Sequence, residues 1–121
     1  SNSQRDQEYL LCIDQNINNQ QIKKIFIFIS DDSTLSLFSD KVEIVKSENR
    51  PTFLDLFKFC NENLKDEICI IANTDIFFDQ SIDEIKKFDF SNKFLALTRW
   101  DLFNDGKQWL IRYYDNPWLS V

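Results

Sequence analysis

Three polar clusters each close a run of apolar residues in this chain: Ser30-Asp31-Asp32, Asn73-Thr74-Asp75 and Thr98-Arg99-Trp100-Asp101. In open α/β sheets, ligands bind beyond the carboxyl ends of the strands, so clusters of this kind are where chemistry is to be sought. The middle cluster is the sharpest. Strand geometry sets Asn73 and Asp75 on the same side of the chain, about 7 Å apart. Asp79 lies four residues further on and reaches the same place if a helical turn intervenes. A hard cation such as Mg²⁺ or Mn²⁺ is held by one or two carboxylates, keeps several waters and takes its other ligands from substrate phosphates. Asp75 and Asp79 are therefore the candidate metal ligands, with Asn73 and Thr74 beside them. Plainer readings stand next to these. A strand-end aspartate caps the turn that follows it, Asp79 with Ser81 suits a helix start, and Asp31-Asp32 reads as a solvated turn.

Composition narrows the alternatives. The chain has 121 residues, one domain's length, with 43% hydrophobic and 28% charged residues. A single glycine excludes the glycine-rich loops that bring backbone close to phosphate, and the absence of histidine excludes Ser-His-Asp and Cys-His catalysis. The formal charge of −6 and a pI near 4.6 repel polyanions, which argues against a nucleic-acid partner. A small phosphorylated ligand stays admissible where a divalent metal offsets its charge. Cys12, Cys60 and Cys69 show no C-x-x-C spacing and read as free thiols of a reducing compartment, so the expected location is cytoplasmic. No apolar run approaches the roughly 20 residues of a membrane span, and the opening Ser1-Asn2-Ser3-Gln4 is no signal peptide.

The elements that must position these clusters follow from periodicity. Ser3 with Asp6 resembles a capping box, and Tyr9, Leu10, Ile13 and Ile17 recur at helical spacing, which predicts a helix over 4–18. Ile22 to Ile29 is apolar almost throughout and suits a strand covered on both faces, while Lys41 to Lys46 alternates as an edge strand does. Thr52 with Asp55, preceded by Pro51, starts a second helix to about Leu64 on which Phe53, Phe57, Cys60 and Leu64 share a face. Ile68 to Ala72 is the most strand-like segment of the chain. A short helix from Ser81, a buried strand over 94–98 and a hairpin with arms near 94–103 and 108–114, turning at Asp105-Gly106, complete the series. Strands alternating with helices imply an α/β fold: a three-layer sandwich with a mainly parallel sheet, in a single domain over 1–121.

The segment Ile70-Ile-Ala-Asn-Thr-Asp-Ile-Phe-Phe-Asp79 resembles the strand and D-x-D-type motif of nucleotide-sugar-dependent glycosyltransferases of the GT-A fold, some branches of which carry asparagine at the first acidic position. Arg5 to Asn18 with its Gln-Glu-Tyr-Leu-Leu-Cys run, Arg50-Pro-Thr-Phe-Leu-Asp55 and Ala96-Leu-Thr-Arg-Trp-Asp101 agree with one such branch in order and spacing. The resemblance covers nearly the whole chain. It implies that Asp75 coordinates the divalent metal that bridges the donor's diphosphate, with Asn73 near the ribose or the metal's water shell and Arg50 near the nucleotide. Donor-binding residues are then Arg50, Asn73, Thr74, Asp75, Arg99 and Asp101; the donor is a UDP- or GDP-sugar, the acceptor a hydroxyl. Two departures from the family pattern define further expectations. The family's first strand precedes the first helix, so this chain reads as truncated there, with an unpaired sheet edge that a second copy can fill. The acceptor-binding half that supplies a catalytic carboxylate lies beyond the final strands, so no catalytic base is assigned.

Two other classes compete. A non-catalytic GT-A-like module, retained for binding or assembly, shares every residue named above. A phosphoacceptor receiver domain would use Asp31-Asp32, Asp75 and Thr98, but residues 33–40 are too few for the helix that must cross between two parallel strands.

Overall fold

The computed structural model describes residues 3–30, 39–91, 93, 95, 97, 100–104 and 109–113; for the last two ranges it describes the backbone. The packing falls into two units, Ser1–Lys87 and Phe88–Val121.

In the first unit, helix α1 spans Ser3–Ile17, with Asp6 in its first turn, where a negative charge favours the helix dipole. Strand β1, Ile25–Ile29, pairs in parallel with β2, Val42–Lys46, in the register Ile25↔Val42 to Ile29↔Lys46. The expected strand over 22–29 is thus shorter at its start. Alternation along β1 divides its side chains between two layers. Ile27 and Ile29 are buried with Ile13 of α1, and Ile17, Ile25 and Val42 pack around them. Phe26 and Phe28 point the other way, and both meet Phe59 edge to face with ring centroids 5.1 Å apart.

Phe59 belongs to α2, Phe53–Asn63. Its start is the one the sequence predicts: the Asp55 N–H donates to Thr52 Oγ1 at 3.2 Å and the Thr52 N–H donates to Asp55 Oδ2 at 2.9 Å. The first unit is therefore α/β, with a helix on each face of β1. The helix ends at Leu64, and Asp66 follows at φ 68°, a left-handed conformation more often given to glycine.

Three expectations about elements change. Ile68 to Ala72 forms no strand among the described residues, and Ile68 and Ile70 are 49% and 39% exposed. A strand exists only where a second edge satisfies its peptides, and the one described partner of β1 is β2. The helix expected from Ser81 is a 3-10 helix, Gln80–Lys87, which buries Ile82. In the second unit, β3, Trp100–Asn104, and β4, Trp109–Tyr113, are antiparallel with Trp100 opposite Tyr113 and Asn104 opposite Trp109. The hairpin is as expected, and its Asp105-Gly106 turn lies outside the described residues. Residues 93, 95 and 97 belong to no strand, and the remainder of the strand expected at 94–98 lies outside the described residues. The described strands form one parallel and one antiparallel pair.

Candidate functional site

The polarity of the first unit is set by one lysine. Lys41, just ahead of β2, extends its Nζ to the Ile17 and Asn19 carbonyls at 2.8 and 2.7 Å and so closes the carboxyl end of α1. That end of the helix stands at the amino edge of the β1–β2 pair, so the first turns of α1 run towards the carboxyl edge. Glu67 lies 3.9 Å from Lys23, two residues before β1.

The chain then reverses at Asn73-Thr74-Asp75, where the Ile76 N–H donates to the Asn73 carbonyl at 3.3 Å. All three side chains are exposed. Residues 76–79 return along α1 and are held by two asparagines. Asn16 Nδ2 donates to the Ile76 carbonyl at 3.0 Å, and Asn16 Oδ1 accepts from the Phe78 N–H at 2.9 Å. Asn19 Nδ2 donates to the Phe78 and Asp79 carbonyls at 2.9 and 3.2 Å, while its Oδ1 accepts from the Gln21 N–H at 2.9 Å. Asn19 is the one buried polar side chain among the described residues.

Asp75 makes its charge felt on α1. Burial pushes the Cys12 thiol up, and the Asp75 and Glu8 carboxylates raise it further. The Arg5 guanidinium is raised first by its hydrogen bond to the Tyr9 hydroxyl, over whose ring it also lies at 5.5 Å, and then by the negative charge of Asp75 and Glu8. No hydrogen bond engages the Asp75 carboxylate among the described residues, and its side chain is exposed.

Asp79 has a different task. Its Oδ1 accepts from both the N–H, at 2.9 Å, and the hydroxyl of Ser81, and its carbonyl accepts from the Ile82 N–H at 3.3 Å. The Ser81 hydroxyl, more than its N–H, holds the Asp79 carboxyl below the usual carboxylate value. It is a cap of the 3-10 helix. Among the described residues, no three His, Cys, Asp or Glu side chains gather to hold a metal ion.

Arg50 is exposed and follows β2 at the carboxyl edge, between Ser47, whose hydroxyl donates to the Asn49 carbonyl at 2.7 Å, and the α2 cap. It therefore shares that edge with the first turns of α1. Asp101 sits in β3 opposite Arg112, in the second unit, and Arg99 and Thr98 lie outside the described residues. Asp31 and Asp32, on which the receiver-domain reading depends, also lie outside them.

The sequence reading missed Asn16, Asn19 and Lys41. Asparagines at helix ends ordinarily read as stop signals, and their partners here are 59 to 62 residues away in the chain. No helix among the described residues is long and apolar enough to cross a membrane. No family model, curated protein or solved structure matches the chain.

Proposed function

We propose that the chain is the nucleotide-sugar-binding part of a metal-dependent glycosyltransferase with the three-layer GT-A architecture. The observation that supports this most is the Asn73-Thr74-Asp75 reversal: its Asp75 carboxylate is exposed, and its negative charge acts on Arg5 and Cys12 of α1. The donor set suits a hard cation, which needs only one or two carboxylates and completes its shell with water and phosphate oxygens. Asp75 and Asn73 hold Mn²⁺ or Mg²⁺ in this reading, while Asp79, committed to its cap, contributes through the backbone turn that it closes.

A divalent ion there offsets the diphosphate charge that a chain of net charge −6 otherwise repels, and stabilises the nucleoside diphosphate as it leaves. Arg50, which follows β2, faces the nucleotide end of the donor in this reading. The sugar passes to an acceptor hydroxyl.

The test is calorimetric titration with UDP and with GDP, each with and without Mn²⁺, on the wild-type chain and on Asp75→Ala. Metal-dependent binding that Asp75→Ala loses supports the donor-site reading and identifies the base. A folded chain that binds neither nucleotide removes the catalytic claim and leaves a non-catalytic module of the same fold.

A further inference from the structure

The segment after the reversal, residues 76–79, belongs to no helix or strand. Its peptides pair instead with side chains. Asn16 presents an acceptor to the Phe78 N–H and a donor to the Ile76 carbonyl, the pattern that a neighbouring strand would offer, and Asn19 donates to the Phe78 and Asp79 carbonyls. Asn16 lies in the last turn of α1 and Asn19 two residues beyond its end, where the Asn19 N–H donates to the Asn16 carbonyl at 3.2 Å. Lys41 holds the carbonyls of Ile17 and Asn19 and so ties the end of α1 to the residues just beyond it.

We infer that Asn16 and Asn19 are positioning residues for the Asp75 turn: the two amides replace a strand ladder over 76–79 and set where the Asp75 carboxylate stands relative to α1. The inference rests on the metal–diphosphate reading of that turn. Asn16 Oδ1 and Nδ2 grip peptides one and three residues beyond Asp75, so a small rotation of the gripped segment displaces the carboxylate. Asn16 is half-buried, and both of its amide atoms are satisfied within the protein.

The experiment combines two readouts on the wild type and on Asn16→Asp and Asn19→Asp. Each substitution keeps side-chain volume and an acceptor oxygen but replaces the donating NH₂ with oxygen facing a carbonyl. Hydrogen exchange of residues 74–79 reports the grip itself, without reference to any ligand. UDP titration with and without Mn²⁺ reports the site. Expected are exchange at least tenfold faster over 76–79 in Asn16→Asp, and a metal-dependent gain in UDP affinity reduced tenfold or more, with metal-free affinity and melting temperature little changed. A general loss of folding would lower all of these together. Faster exchange with the metal-dependent gain intact overturns the positioning role. Unchanged exchange overturns the grip. A wild type with no metal-dependent gain overturns the site reading on which the inference stands, while exchange still reports whether the amides hold the segment. If Asn16→Asp does not fold, Asn19→Asp is read by the same criteria.

Discussion

The side-chain amide of Asn16 and the peptide of Phe78 face each other across 62 residues of chain, with the Phe78 N–H donating to Asn16 Oδ1 at 2.9 Å. That bond joins the last turn of α1 to the segment beyond the Asn73-Thr74-Asp75 reversal. It ties the placement of an exposed carboxylate to a helix end rather than to a sheet. The neighbouring elements yield further expectations, each open to measurement.

Thr52→Ala removes one half of the α2 capping box and is expected to cost about 1 kcal/mol, read from urea unfolding. The Asp55 carboxyl is held below its ordinary value of 3.8 by the Thr52 N–H first and its hydroxyl second. A depressed carboxylate contributes stability above its unfolded value, and that contribution disappears as pH falls through the lower folded value. The urea midpoint of the wild type should therefore fall as pH drops below 3.8, and Asp55→Asn should flatten that part of the curve.

Lys41→Met is expected to destabilise the chain by about 1–2 kcal/mol, because two carbonyls at the end of α1 lose a charged donor. Circular dichroism at 222 nm during urea unfolding measures this. Lys41→Arg, which keeps the charge but changes the donor geometry, is expected to recover only part of the loss.

Asp66→Gly is expected to stabilise by about 0.5 kcal/mol. The left-handed φ of 68° costs a residue with a Cβ more than it costs glycine, and glycine's greater entropy loss on folding offsets part of the gain. Thermal unfolding of the variant should show a rise of a few degrees, whereas Asp66→Val should show a fall.

The Cys69 thiol is pushed up to about 11 by partial burial, by its hydrogen bond with Cys60 and by the charge of Cys60 and Glu67. The thiolate is the nucleophile, so iodoacetamide should label Cys69 slowly at pH 8 despite its exposed surface. The labelling rate should rise steeply towards pH 11. Cys60→Ser should raise the rate at pH 8 severalfold, and an unaltered rate would show that Cys60 has no part in holding the proton.

The sequence by itself determined those parts of the molecule whose cause is local. The periodicity of Tyr9, Ile13 and Ile17 specifies α1, the Thr52–Asp55 pair specifies the start of α2, and the apolar run from Ile22 to Ile29 specifies a strand covered on both faces, of which Ile25–Ile29 forms β1. The hairpin of β3 and β4 was legible for the same reason, since its arms are neighbours in the chain. The residue types at Asn73, Thr74 and Asp75 were enough to single out a candidate site, and their exposure is what such a site needs. The tertiary structure alone decided the rest. Ile68 to Ala72 has every local preference of a strand, yet strand formation requires an edge to pair with, and no local pattern supplies one. Asp79 read more readily as a helix start than as a metal ligand, and only the fold shows that its Oδ1 accepts from the N–H and hydroxyl of Ser81. Asn16, Asn19 and Lys41 acquire their roles from carbonyls and amides 22 to 62 residues away, because a primary amide or an ammonium acts only on the group that folding brings within hydrogen-bond distance.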